Sequence, residues 1–80
     1  MTLGQIQTAL QGIFDSVEET RDDTYIARGQ CEATSTAEGN DVMRQRLRTA
    51  LPNAATVSAG NVKSRQGRIV QWWVEFVVEE

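Results

Sequence analysis

RIVQWWVEFVVEE (Arg68–Glu80) decides the fold. Successive side chains of a β-strand point to opposite faces, so two adjacent tryptophans cannot share one. The even positions, Val70, Trp72, Val74, Phe76 and Val78, are all apolar. The odd positions, Ile69, Gln71, Trp73, Glu75 and Val77, are mixed. A strand apolar on one face and half-apolar on the other suits the middle of a sheet. Its even face must meet helices, which makes Trp72 the core tryptophan and leaves Trp73 on the reverse.

The flanking sequence supplies the partners of this strand. Ser64-Arg65-Gln66-Gly67 reads as a tight turn, preceded by a strand over Thr56–Lys63, so the two make a hairpin. Further back, Met43, Leu47, Ala50 and Leu51 form the buried stripe of a helix that starts at 37 or 41 and ends at 51. Ser35 stands three residues before Glu38, a capping-box spacing, and Asn40 is a second candidate cap. Pro52 stops this helix. Before it, Thr24–Thr34 reads as a weaker strand with Tyr25, Ala27, Gly29, Cys31 and Ala33 on one face. These small side chains allow a helix to sit close to the sheet.

At the amino terminus, Leu3, Ile6, Leu10, Ile13, Phe14 and Val17 recur at three- and four-residue steps, predicting an amphipathic helix over 3–18. Thr2 caps it, with Gln5 as the reciprocal partner. Gly4 and Gly12 weaken it by about 1 kcal/mol each relative to alanine, and the polar run EETRDD ends it.

The expected architecture is thus a single α+β domain over residues 1–80, ordered α-β-α-β-β. A right-handed crossover joins the first strand to the hairpin. The third strand lies between the other two, giving a three-stranded, mostly antiparallel sheet of order 1-3-2, a split β-α-β, with both helices on one face. The pattern resembles part of a ferredoxin-like sandwich preceded by an extra helix; such a resemblance implies a fold and no function.

Eighty residues support one small core, to which a subunit contact would add stability. The apolar share of 40% and charged share of 24% are those of an ordinary globular chain. No run of 18 apolar residues spans a membrane, and MTLGQIQTALQGIF has neither the basic nor the apolar region of a secretory signal. One cysteine, Cys31, excludes an internal disulfide framework and fits a cytoplasmic location.

Charge is segregated along the chain. Residues 1–41 carry eight acids against two bases, a net −6; residues 42–68 carry six bases and no acid, a net +6; three acids follow.

With two helices on one side, the odd face of the last strand stays open. Trp73, Ile26, Ile69 and Val77 then form an apolar patch rimmed by Arg28, Gln71 and Glu75, the make-up of an interface hot spot. Two other readings of Trp73 compete with this one. One helix on each face makes it second-layer core, and a ring lying under Arg28 makes it a cation–π partner.

Catalytic chemistry has little to work with. The chain has no histidine, the usual general base and commonest zinc ligand. Cys31, mid-strand among small residues, reads as structural rather than nucleophilic. Glu18/Glu19, Asp22/Asp23 and Glu79/Glu80 read as solvated charge, with a weak divalent-cation site at Asp15–Asp23 as the functional alternative; the calcium-loop spacing is absent. STAEGN, ahead of the second helix, lacks a phosphate-loop pattern and carries acids that repel anions. No cofactor is expected.

The expected function is therefore non-enzymatic protein binding through the open face, most simply between two copies of the chain. An accessory or inhibitor protein, viral ones included, fits by size and type alone. The alternative is nucleic-acid binding by Arg44 and Arg48 on the second helix with Lys63, Arg65 and Arg68 around the hairpin, Trp73 stacking a base. Against it stands internal neutralisation, with Asp15, Glu18 and Glu19 facing Arg44 and Arg48.

Overall fold

The computed structural model describes residues 1–33, 35–63 and 69–79, with the backbone alone at 62, 63, 69 and 70. Two helices and four strands run in the order α1 (Leu3–Ala9), β1 (Ser16–Arg21), β2 (Thr24–Gln30), α2 (Thr36–Ala50), β3 (Ala54–Lys63) and β4 (Ile69–Val78). The sheet order is β1-β2-β4-β3, with every neighbouring pair antiparallel. β4 is central, and the expected order of three strands survives as β2-β4-β3. The expectation of a three-stranded sheet is corrected: β1 adds a fourth strand at the edge.

β1 occupies sequence that the apolar periodicity assigns to a helix over 3–18. The capping box at Thr2 forms, with the Gln5 amide donating to Thr2 Oγ1 at 3.3 Å and the Thr2 amide donating to Gln5 Oε1 at 2.9 Å. The helix nevertheless stops at Ala9, and Gly12 takes the left-handed conformation at φ 81°. Glycine reaches that region without the Cβ clash that bars most residues. Helical winding persists irregularly as far as Phe14, whose amide donates to the Leu10 carbonyl at 3.0 Å. Ile6, Leu10 and Phe14 therefore keep their common inward direction, although Ile13 turns out to 39% exposure. The Asp15 amide then donates to the Arg28 carbonyl at 2.7 Å and leads the chain into the sheet. Asp22 and Asp23 make the two-residue turn into β2, Asp23 adopting φ 61°, a conformation aspartate tolerates.

The other boundaries move less. β2 ends at Gln30 rather than Thr34, and β3 begins at Ala54 rather than Thr56. Ser35 caps α2, its Oγ accepting from the Glu38 amide at 3.1 Å. The turn over 64–67 lies outside the described residues.

Both helices cover one face of the sheet. A single core joins Ile6, Leu10 and Phe14 from α1 and its extension to Met43, Leu47 and Leu51 from α2, over Tyr25, Ala27, Trp72, Val74 and Phe76. Gly29 lets the layers close: a Cβ there would lie 3.2 Å from both Met43 Cε and Phe14 Cδ1. Tyr25 and Phe76, paired across β2 and β4, stand 5.8 Å apart between ring centroids. Among the described residues no helix is long and apolar enough to cross a membrane.

The open sheet face as candidate interface

The two tryptophans leave β4 in opposite directions, and each rests against a glycine. Trp72 is 1% exposed, wedged beneath the first turn of α2. A Cβ at Gly39 would fall 2.0 Å from its Cη2 and Cζ2, so only glycine admits the ring. Its indole Nε1 donates to the Cys31 carbonyl at 3.0 Å, satisfying the buried donor. Burying a ring of this size contributes up to about 5 kcal/mol.

Trp73 lies flat on the reverse face. Gly60 of β3 is its cross-strand partner, and a Cβ there would lie 2.4 Å from Trp73 Cζ2 and 2.6 Å from Cε2. The indole thus fills the gap of a glycine on an edge strand, a stabilising use of aromatics in sheets. It is half-buried by the sheet itself. No described helix covers this side, so the second-layer core reading is overturned. The cation–π reading fails too: Arg28, opposite Trp73 on β2, turns away to pair with Glu18 on β1.

The remaining patch residues fall on this face by register. Ile26 sits between Glu18 and Glu75, and Val77 lies between Thr24 and Ala55. Ile26, Glu75 and Val77 are half-buried; Gln71 and Arg28 are exposed. Glu75 Oε1 accepts from Ser58 Oγ at 3.4 Å. The Ile69 side chain lies outside the described residues. The face is an apolar strip of Ile26, Trp73 and Val77 between carboxylates and one paired guanidinium. Two of its determinants, Gly60 and Glu18, escape a reading of the sequence by strands, because β1 was hidden and an edge glycine reads as a weak point.

The basic residues divide differently. Arg44 and Arg48 are exposed on α2, one turn apart. Arg46 reaches the other way, its Nη1 donating to the Gln30 carbonyl of β2 at 3.1 Å. Among the described residues neither Arg44 nor Arg48 makes an ion pair. The expected neutralisation by Asp15, Glu18 and Glu19 is corrected, since these acids belong to the turn and strand at the β1 edge, away from the β3 side of α2. The Lys63 side chain and the whole of Arg65 and Arg68 lie outside the described residues. Arg44 and Arg48 stand on the helix side of the sheet and Trp73 on the other.

Cys31 is buried just past the end of β2. Among the described residues no three histidine, cysteine, aspartate or glutamate side chains converge as metal ligands, at Asp15–Asp23 or elsewhere. Comparison of the chain with protein-family models, with curated proteins and with solved structures gave no match.

Proposed function

We propose that this chain is a small non-enzymatic binding module that docks through the open face of its sheet, and that the simplest occupant is a second copy. The observation that carries the reading is Trp73, half-buried at the centre of a helix-free face and continued by Ile26 and Val77. Covering its remaining apolar surface would contribute at most about 2 kcal/mol.

The charge layout favours a two-fold partner. Arg28 lies one strand to the side of Trp73, about 4.8 Å away, and Glu75 two residues along, about 6.8 Å. A two-fold axis through Trp73 that bisects these directions crosses the sheets near a right angle, an established packing mode. It sets Arg28 of each copy toward Glu75 of the other. Sedimentation or light scattering should then give twice the chain mass, reduced to one chain by Trp73→Glu and, without disturbing the cover of Gly60, by Val77→Lys. A wild-type chain that stays monomeric at sub-millimolar concentration overturns the reading.

The nucleic-acid alternative draws on Arg44 and Arg48, which make no ion pair among the described residues. Their separation from Trp73 by the thickness of the sheet weighs against one strand using both.

A further inference from the structure

The two edges of the sheet are guarded unequally. β1, at one edge, has six residues, carries Glu18, Glu19 and Arg21, and changes register between Glu19 and Arg21. Short length, charge and irregularity are what protect edge strands from unwanted pairing. β3, at the other edge, has ten residues and a single charge, Lys63, at its end. Among the described residues no strand pairs with its outer side. A register shift between Thr56 and Ser58 leaves Val57 52% exposed beside that edge.

A basic pair overhangs this edge. The start of α2 is tied to the far end of β3 by Asn61 Nδ2 donating to Thr36 Oγ1 at 3.5 Å, and its end to the start of β3 by the Ala54 amide donating to the Leu51 carbonyl at 3.0 Å. α2 therefore runs antiparallel to β3. At about 1.5 Å per helical residue and about 3.4 Å per strand residue, Arg48 comes abreast of Ala55 and Arg44 of Val57. Arg46 faces β2, and Arg44 is rotated about 160° from it around the axis, outward over β3.

We propose that the outer edge of β3 receives an extended acidic segment of a partner protein as a fifth strand. The segment pairs its backbone along Ser58–Val62, passes Val57, and sets carboxylates against Arg44 and Arg48. Backbone pairing supplies affinity in this mode of recognition, and side-chain chemistry supplies selectivity. A second copy is the poorer occupant. α2 packs over both β3 and β4, so antiparallel pairing of two β3 strands would bring the α2 axes within about 10 Å, contact distance for helices. Arg44 and Arg48 of the two copies would then oppose each other. Nucleic acid is poorer as well, because phosphodiesters only accept hydrogen bonds and would leave the strand's carbonyls unmatched.

The test is fluorescence anisotropy of a labelled ten-residue peptide of alternating valine and glutamate, titrated with the full chain. Binding should fall at least tenfold in Arg44→Gln/Arg48→Gln, and equally when alternate peptide amides are N-methylated, which removes donors while keeping charge. Val77→Lys, which opposes Ala55 and leaves the Trp73 cover of Gly60 in place, should leave it unchanged, so this site and the open face fail or survive separately. Binding indifferent to N-methylation would show mere electrostatic attraction and overturn the proposal. So would absence of binding at low salt, or displacement of the peptide by an oligonucleotide.

Discussion

Trp72 and Trp73 are neighbours in the chain with opposite surroundings, and each is seated by a glycine. Under α2 the glycine belongs to a helix that cannot retreat without opening the core. On the reverse face the glycine belongs to an edge strand, and the ring above it has open space beyond. Strand parity decides which face an indole enters. The neighbour without a Cβ decides how the indole lies, and the packing around it decides how firmly it is held.

The comparison predicts that one chemical change has unequal effects at the two sites. Gly39→Ala puts a methyl 2.0 Å from Trp72. In an exposed helix that change would stabilise by about 1 kcal/mol; here the sign reverses, with a loss of about 3 kcal/mol from overpacking, measurable as a lower urea midpoint. Gly60→Ala puts a methyl 2.4 Å from Trp73, but the ring can swing outward. The cost should stay under about 1 kcal/mol, because alanine also restricts the unfolded chain. In a Trp72→Phe background the emission of Trp73 should shift to the red. Equal losses at both glycines would break the comparison.

The covered face also holds the Tyr25 hydroxyl, whose titration is displaced. Burial first, then the carboxylates of Glu19 and Asp23, raises the Tyr25 hydroxyl above its ordinary 10.0. The folded state thus holds that proton more tightly than the unfolded state. Its contribution to stability is complete below pH 10.0 and is lost as pH rises through the folded value. Urea midpoints should slope down above pH 10.0 in the wild type and less steeply in Tyr25→Phe, with no difference in slope at neutral pH.

Much of this arrangement was legible in the sequence. The alternation along β4 gives its central place, the side of each tryptophan and the β2-β4-β3 order. Thr2 and Ser35 mark both helix starts by capping chemistry that needs no tertiary context. β1 was hidden for a physical reason. Ile6, Leu10, Phe14 and Val17 keep helical spacing through a segment that leaves the helix after Ala9, because the irregular turn through Gly12 still aims each of them at the core. Spacing reports which side chains go inward, and there it no longer reports backbone conformation. The open-face patch followed from parity and helix count. The pose of Trp73 did not, since it depends on a contact with Gly60 across the sheet.

Of the six elements, β4 is the last made and the innermost. While the nascent chain is being synthesised, β2 and β3 have no common neighbour, so β1–β2 and β3 remain separate fragments. Trp72 likewise cannot tie down the Cys31 carbonyl until this strand has left the ribosome. The four-stranded sheet is complete only once β4 is in place, and until then the edges of β2 and β3 that it covers stand open.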